Sequence, residues 1–404
     1  MHFDIVIIGM GLAGSGLALA LKNSGLSIAI IDRQPLKTSA PALQYDCHHF
    51  DPRVFALNDA SIRLLVNLEA WPMIASMRHQ PFEGMQVRDG QGLGELELSA
   101  QEIGLSSMGS IVEHSVLQYA LHERMVVQKN VTVFAEQNIK VMSASSENIP
   151  EIIFENGQRI EFDLLVGADG ANSFVRQQLK FESKAWQYNQ TAIVCTLQVE
   201  KSHQSIARQR FMHTGPIAFL PLTGSGKKNF VSIVWSIDDD EAERILALDD
   251  SQFIQEIDRV SENWLGEVGS VSKRFSYPLS QHYCPSYKKD RVVLIADAAH
   301  HFHPLAGQGI NLGFQDVNVL ADEITRAKLA GRVFYSEATL AQYQMKRKLD
   351  NLSMLIVIEG LKKLFEHSSI YSSILRYKGM ALFGRLTSVK RKVLLVTTGK
   401  KDKI

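Results

Sequence analysis

The first hydrophobic run, Asp4–Ile8 (DIVII), is short and β-branched, the composition of a strand buried on both faces of a parallel sheet. Glycines at 9, 11 and 14 follow. An apolar stretch, Ser15–Asn23, then predicts a helix ending near Gly25, and Ser27–Ile31 predicts a second strand that closes on Asp32. Together these make a β-α-β unit. The polar stretch Arg33–Asp51 predicts a loop, and Asp59–Leu68 a helix halted before Trp71-Pro72. Glu113 to Val127 predicts a further helix that leads into a strand at Val131–Ala135. Glu151–Phe154 and Arg159–Phe162 flank Asn156-Gly157, a hairpin signal. Asp163–Val166 then reads as a strand entering Gly167-Ala168-Asp169-Gly170.

The next hundred residues carry a different pattern. Thr191–Val199, Ile217–Pro221, Phe230–Trp235 and Arg274–Leu279 are strand-like, Glu241–Val260 is helical, and the whole suggests a separate sheet domain. Arg291–Ala296 returns to the buried parallel type and passes through a Gly/Pro/His loop into a helix starting near Gly309–Asn311. From Leu349 onward the pattern is mostly helical.

Composition narrows the class. The chain has 404 residues, 45% hydrophobic, which excludes wholesale disorder. Lys plus Arg and Asp plus Glu both number 43, so nothing marks a nucleic-acid partner. Three scattered cysteines without a CxxC argue against a disulfide framework and for a reducing, cytoplasmic setting. The uncharged run Ile5–Leu21 is at the short edge of a membrane span, but its glycines and the start Met1-His2-Phe3-Asp4 fit strand, turn and helix better.

Gly9-Met10-Gly11-Leu12-Ala13-Gly14 fits GxGxxG in the context that the motif needs: strand before, helix after, acid at the end of the second strand. Gly9 permits the turn, Gly11 lets a pyrophosphate approach the backbone, and Gly14 lets helix and strand pack closely. The helix's free N–H groups favour phosphate. Asp32, 18 positions beyond Gly14, suits the two hydroxyls of an adenosine ribose and repels a 2′-phosphate. NAD and FAD both use this fingerprint.

Two later motifs decide between them. Gly167-Ala168-Asp169-Gly170 stands between strand and helix, and Ala296-Asp297-Ala298-Ala299-His300 precedes His303-Pro304 and Gly307-Gln308-Gly309-Ile310-Asn311-Leu312-Gly313. With Asp51-Pro52-Arg53-Val54-Phe55-Ala56-Leu57, this set resembles the single-component flavoprotein aromatic hydroxylases typified by para-hydroxybenzoate hydroxylase. Within them it is most similar to the ubiquinone-biosynthesis group (UbiH, UbiF, UbiI and Coq type), in order over roughly residues 3–325.

The resemblance implies an α/β fold: a Rossmann-like FAD-binding domain in two pieces (1–180 and 281–350), an inserted β-sheet substrate domain (181–280) and a C-terminal helical region with a basic tail (351–404). It implies FAD held by Gly9, Gly11, Leu12, Ala13, Gly14 and Arg33, with Asp32 at the adenosine ribose and Arg53 at the phosphates. Gln118 falls near the ribityl chain, Asp297 on a ribityl hydroxyl, and Asp169 and Gly170 in a motif serving FAD and the nicotinamide cofactor. Gly307, Gly309, Ile310 and Asn311 open a helix whose backbone N–H groups face the reduced ring's N1 and C2=O. His303, Pro304 and Gln308 fall at the catalytic face. Ala296 replaces the usual glycine, a mild change if its φ is negative, and Asp32 stands where Glu is common.

The implied reaction is hydroxylation of a polyprenyl-phenol intermediate of ubiquinone synthesis through a flavin C4a-hydroperoxide, with NADPH or NADH as transient reductant and O2 as co-substrate. No side chain must bond to substrate, so the protein's tasks are to position the ring and exclude water. His300, His301 and His303 lack neighbours that would complete a metal site, and no metal is expected. Gly224-Ser225-Gly226-Lys227-Lys228 lacks the P-loop spacing and predicts a hairpin turn. The stretch 376–404 carries nine Lys or Arg against Asp402, interleaved with apolar residues. A solvated tail and peripheral docking on the inner membrane face both fit it, as does contact with other ubiquinone-biosynthesis enzymes. Hydroxylation of another aromatic compound, a scaffolding flavoprotein and a two-domain NAD dehydrogenase are the competing readings; a halogenase's WxWxIP is absent.

Overall fold

Four parallel strands meet in one register at the heart of the molecule. In the computed structural model, which describes residues 1–90, 92, 94–144, 149–224, 229–301, 309–366, 390–391, 394–395 and 398–399, Ile8 pairs with Ile31 on one side and Gly167 on the other, and Gly167 pairs with Leu294. The strands Val292–Leu294, Arg159–Gly167, His2–Ile8, Ile28–Ile31 and Val131–Phe134 lie in that spatial order. Ile5, Val6, Ile7, Ile28, Ile30, Leu164 and Val166 are all fully buried, as central strands of a covered sheet require.

The β-α-β unit forms as the pattern predicts, except that its helix is Leu12–Ala20 and begins three residues earlier than the apolar stretch. Gly11 is its N-cap in extended backbone, so the glycine turn and the helix start are one feature. Asp163–Val166 is not a separate strand. It is the second half of Arg159–Gly167, whose first half pairs antiparallel with Glu151–Phe154 and whose second half pairs parallel with His2–Ile8. The helix expected over 241–260 is two, Asp239–Ala247 and Asp250–Ser261. Asp249 caps the second by accepting the Gln252 amide at 2.8 Å, and this break restarts the helix.

The second sheet is mainly antiparallel: Phe275–Tyr283, Lys184–Val199, Phe230–Asp238, Gly215–Leu222 and Ile206–Met212 pair in that order. It also takes Gly84–Asp89 and Glu95–Ser99 from within the first FAD-binding piece, since Ile206–Met212 offers them an open edge. The boundary drawn at 350 falls inside one helix, Glu337–Glu366, so the chain has no break there. One face of the second sheet buries Ile193, Phe219, Ile233 and Trp235 beneath the two helices of 239–261. Its other face looks towards the first sheet. Among the described residues, no helix is long and apolar enough to cross a membrane.

Candidate functional site

Because Ile8, Ile31, Gly167 and Leu294 share a register, the segments that follow them leave the sheet side by side at its carboxyl edge, where open α/β sheets bind ligands. Gly9, Gly11, Leu12, Ala13, Asp32, Arg33, Arg53, Asp169, Gly170, Asp297, Gly309 and Ile310 all line one cavity of about 930 Å³. Three motifs more than a hundred residues apart thus converge on one cleft.

Each glycine of the first turn does a different task. Gly9 has φ +104°, and a Cβ there would lie 2.4 Å from Ala168 O. Gly14 does not line the cavity; a Cβ on it would lie 1.9 Å from Gly9 O, so it serves packing. At Gly11 a Cβ meets nothing within 4 Å, so the space over this backbone is open to a ligand. Asp32 accepts the amides of Met10 at 2.6 Å and Gln34 at 2.8 Å, which fixes its carboxylate at the rim.

Sequence reasoning missed four residues that set this geometry. His122, a helix away, is buried. Its Nδ1 accepts the Lys37 amide at 3.0 Å, so Nε2 carries the proton and donates to Met10 O at 2.8 Å. Burial lowers its pKa and favours this neutral form. Arg176 ties the second motif to the third, donating to Ala171 O at 2.5 Å, to Ala298 O at 2.9 Å and to His282 Nε2 at 3.0 Å. Burial and then this guanidinium push His282 down to about 4. Arg78 and Glu113 form a buried ion pair, and Glu113 accepts the Asp51 amide at 2.7 Å while Asp51 accepts those of Arg53 and Ser115. The pair therefore anchors the loop that presents Arg53. Only contacts across the fold reveal such roles.

Asp169 stands at the second turn, where its carboxylate accepts Ser173 Oγ at 2.6 Å and the Val175 amide at 3.1 Å. Burial raises its pKa against these bonds. Arg53 donates to His114 Nδ1 at 3.1 Å, and burial followed by the Arg53 charge lowers His114 to about 4. His114 lines the cavity, whereas Gln118, one turn on, does not. Asn311 is also off the wall. Its side chain is buried, taking the Asn58 amide at 3.0 Å and Ser61 Oγ at 2.7 Å and giving to Ala56 O at 2.9 Å, so it clamps its helix to the strand Val54–Asn58.

The third turn departs from expectation. Ala296 has φ +51°, the left-handed region where glycine is favoured, so the replacement of glycine is strained and not mild. His300 faces away from the cleft and bonds Asp316 Oδ2 at 2.6 Å, while His301 lines the cleft 3.5 Å from Asp297. Burial opposes charge on both members of that pair, but their mutual hydrogen bond wins, lowering Asp297 and raising His301. His303, Pro304, Gly307 and Gln308 lie outside the described residues, as does the turn at 225–228, whose flanking strands pair antiparallel from Leu222 and Phe230.

At its other end the cavity is mainly apolar, with Phe82, Met85, Leu98, Met108, Ala207, Pro216, Ala218, Leu220 and Val234, beside the polar Arg208, Gln209 and Ser236. The C-terminal stretch is not simply a solvated tail, although most of 376–404 lies outside the described residues. Lys390 pairs with Glu102 at 2.8 Å, Leu394 is fully buried against the cluster of Phe82, Met108 and Ala207, and Thr398 lines the cavity.

A family of proteins described as having an FAD binding domain matches residues 2–350. The chain belongs to it. It is 33% identical to the ubiquinone hydroxylase UbiL of Rhodospirillum rubrum over 96% of this chain and 87% of that one. It is 30% identical to the 3-demethoxyubiquinol 3-hydroxylase of Escherichia coli over 98% of each, and 30% identical to the human ubiquinone biosynthesis monooxygenase COQ6 over 97% of this chain and 92% of that one. Its fold is similar to p-nitrophenol 4-monooxygenase PnpA of Pseudomonas putida, with a TM-score of 0.79 at 16% identity over 99% of both chains. PqsL of Pseudomonas aeruginosa is also similar, with a TM-score of 0.76 at 19% identity over 94% of this chain and all of that one. The protein is an FAD-dependent monooxygenase of the aromatic hydroxylase type. The open space over Gly11, with Arg33, Arg53 and Asp32 around it, fits FAD's pyrophosphate and ribose.

Proposed function

We propose that this monooxygenase hydroxylates the ring of a neutral, polyprenylated phenol on the route to ubiquinone, with NADH or NADPH as reductant and O2 as co-substrate. The observation that carries this reading is the polarity of the cavity's two ends. Of its Asp, Glu, Lys and Arg lining residues, Asp32, Arg33, Arg53, Glu155, Asp169 and Asp297 come from segments outside the second sheet, and Arg208 from the second sheet. The sheet end offers apolar side chains and, among the described residues, no cation turned towards the cavity. Arg208 borders it, but shares the face of Phe219 and donates to Gln86 Oε1 and His203 O, both at 3.0 Å. A ring carrying a carboxylate would find no counter-charge there. An apolar ring with an alkenyl tail would bury well, at about 25 cal/mol per Å².

FAD, when bound, supplies the redox chemistry that activates O2. The chain's own residues do the rest. Gly11, Arg33 and Arg53 would hold the pyrophosphate, Asp32 the ribose and Asp297 a ribityl hydroxyl. The first-turn amides of Ile310 and Asn311 have no intrahelical partner and favour negative charge on the ring by about 0.3–1 kcal/mol. Phe82, Met85, Leu98 and Met108 position the substrate ring, and Leu394 and Thr398 help to exclude water. Nicotinamide has no fingerprint of its own in the sequence, so it would dock transiently beside Asp169 and Gly170.

The test is NAD(P)H oxidation by the holoenzyme with a prenylated phenol under isotope-labelled O2. Product carrying one labelled oxygen is expected. Stoichiometric FAD without substrate-dependent NAD(P)H oxidation, for any quinone precursor, would overturn the reading.

A further inference from the structure

Along Ile206–Met212 the side chains alternate between the two faces of the second sheet. Arg208 pairs with Phe219 on the face that packs under the helices, whereas Ala207 joins the apolar cluster of Phe82 and Met108. Gln209 therefore shares the cavity face with its partner Ala218 and the next strand's Val234. It lines the cavity, is only 9% exposed, and its amide has no hydrogen-bond partner among the described residues. Nearly everything beside it is small or apolar. The amide opens onto the cavity, so both its donor and its acceptor are available to a ligand there.

We infer that Gln209 is a specificity-determining residue that hydrogen-bonds an oxygen substituent of the substrate ring. The inference rests on the hydroxylase reading above and adds to it the residue that recognises the ring's oxygen. The room for the rest of the ring comes from Ala207 and Ala218, whose small side chains leave the sheet wall open around the amide. An uncharged amide also matches an uncharged ring: it recognises oxygen without demanding a carboxylate. A phenol hydroxyl can accept from the amide nitrogen or donate to the amide oxygen, whereas a hydrocarbon ring of the same shape displaces water and leaves the amide unpaired.

The experiment uses the FAD-loaded full chain and two probes, 2-prenylphenol and prenylbenzene, which differ by one oxygen. Binding is read by quenching of flavin fluorescence, and turnover separately. Wild-type protein should bind the phenol about fivefold to tenfold more tightly. Gln209→Leu should bring that ratio near one while FAD content and thermal midpoint hold, and Gln209→Asn should restore part of it. A wild-type ratio near one, or a ratio that Gln209→Leu leaves unchanged, overturns the inference. A normal ratio without phenol-dependent NAD(P)H oxidation would instead sink the hydroxylase reading and leave ring recognition by Gln209 supported.

Discussion

The amide of Ala296 donates to Asp316 Oδ2 at 2.9 Å, and this bond helps to hold Ala296 at φ +51°. Asp316 is completely buried and also takes His300 Nε2 on the same oxygen and Arg347 Nε on the other, both at 2.6 Å. Arg347 belongs to the helix Glu337–Glu366, so that helix reaches through one carboxylate to the turn that carries Asp297. The left-handed backbone at Ala296 costs about 1–2 kcal/mol, and the buried network sustains it.

Ala296→Gly should therefore stabilise the protein by about 1 kcal/mol, read as a higher denaturant midpoint with unchanged FAD content. Gly313 is its partner across the turn, because a Cβ there would lie 2.9 Å from Ala296 Cβ. Gly313→Ala alone should destabilise, and the double variant should recover more than the sum of the singles. Strict additivity would show that the two positions do not touch.

Asp316→Asn leaves buried Arg347 with only the half-exposed Asp350, at 2.8 Å, as its charge partner, and should cost up to about 3–5 kcal/mol at neutral pH. Burial pulls the Asp316 carboxyl upward, but His300 and Arg347 outweigh it and hold it at about 2, against an ordinary 3.8. A lowered folded-state pKa gives stability that is present above the ordinary value and lost as pH falls through the folded one. The gap between wild type and Asp316→Asn should be widest above about pH 4 and close towards pH 2. Urea titrations across that range measure it; a gap independent of pH would refute the assignment.

Gly11→Val and Gly14→Ala should fail in different ways. A Cβ at 11 meets nothing within 4 Å beyond its chain neighbours, so Gly11→Val should fold and yet purify without flavin. A methyl at 14 lies 1.9 Å from Gly9 O, so Gly14→Ala should lose soluble protein altogether. Flavin absorbance and circular dichroism separate the two; yellow Gly11→Val protein would count against the pyrophosphate assignment.

Leu394→Ala removes a fully buried side chain from the cluster that includes Phe82, Met108 and Ala207, at a cost of about 2–5 kcal/mol to the seating of that segment. FAD should remain bound, because none of its expected partners is touched. Water should enter the substrate end, so more hydrogen peroxide should form per NAD(P)H consumed. Unchanged coupling would mean that the segment does not seal the cavity.

Much of this was legible in local pattern. Asp4–Ile8 and Ile28–Ile31 announce buried parallel strands by β-branching, and Asn156-Gly157 announces its hairpin, because such signals depend on a few neighbouring residues. GxGxxG, the Asp-Gly turn at 169 and the Asp297 turn could be recognised one at a time for the same reason. The strand at 159–167 could not be recognised as one, since its two halves pair with different partners. Nor could the places of Gly84–Asp89 and Glu95–Ser99 in the second sheet, where an edge more than a hundred residues later receives them.

Local turn chemistry and strand composition, which act over short range, point to a dinucleotide cofactor and to the segments that touch it, and the resemblance of the three motifs together points to FAD. Tertiary structure decided what those segments lean on. His122 under the first turn, Arg176 between the second and third, Asp316 beneath Ala296 and Gln209 on the sheet wall carry no local signature. Burial, charge pairing and the face of a strand are properties of the space a side chain enters, and that space exists only after distant segments have packed.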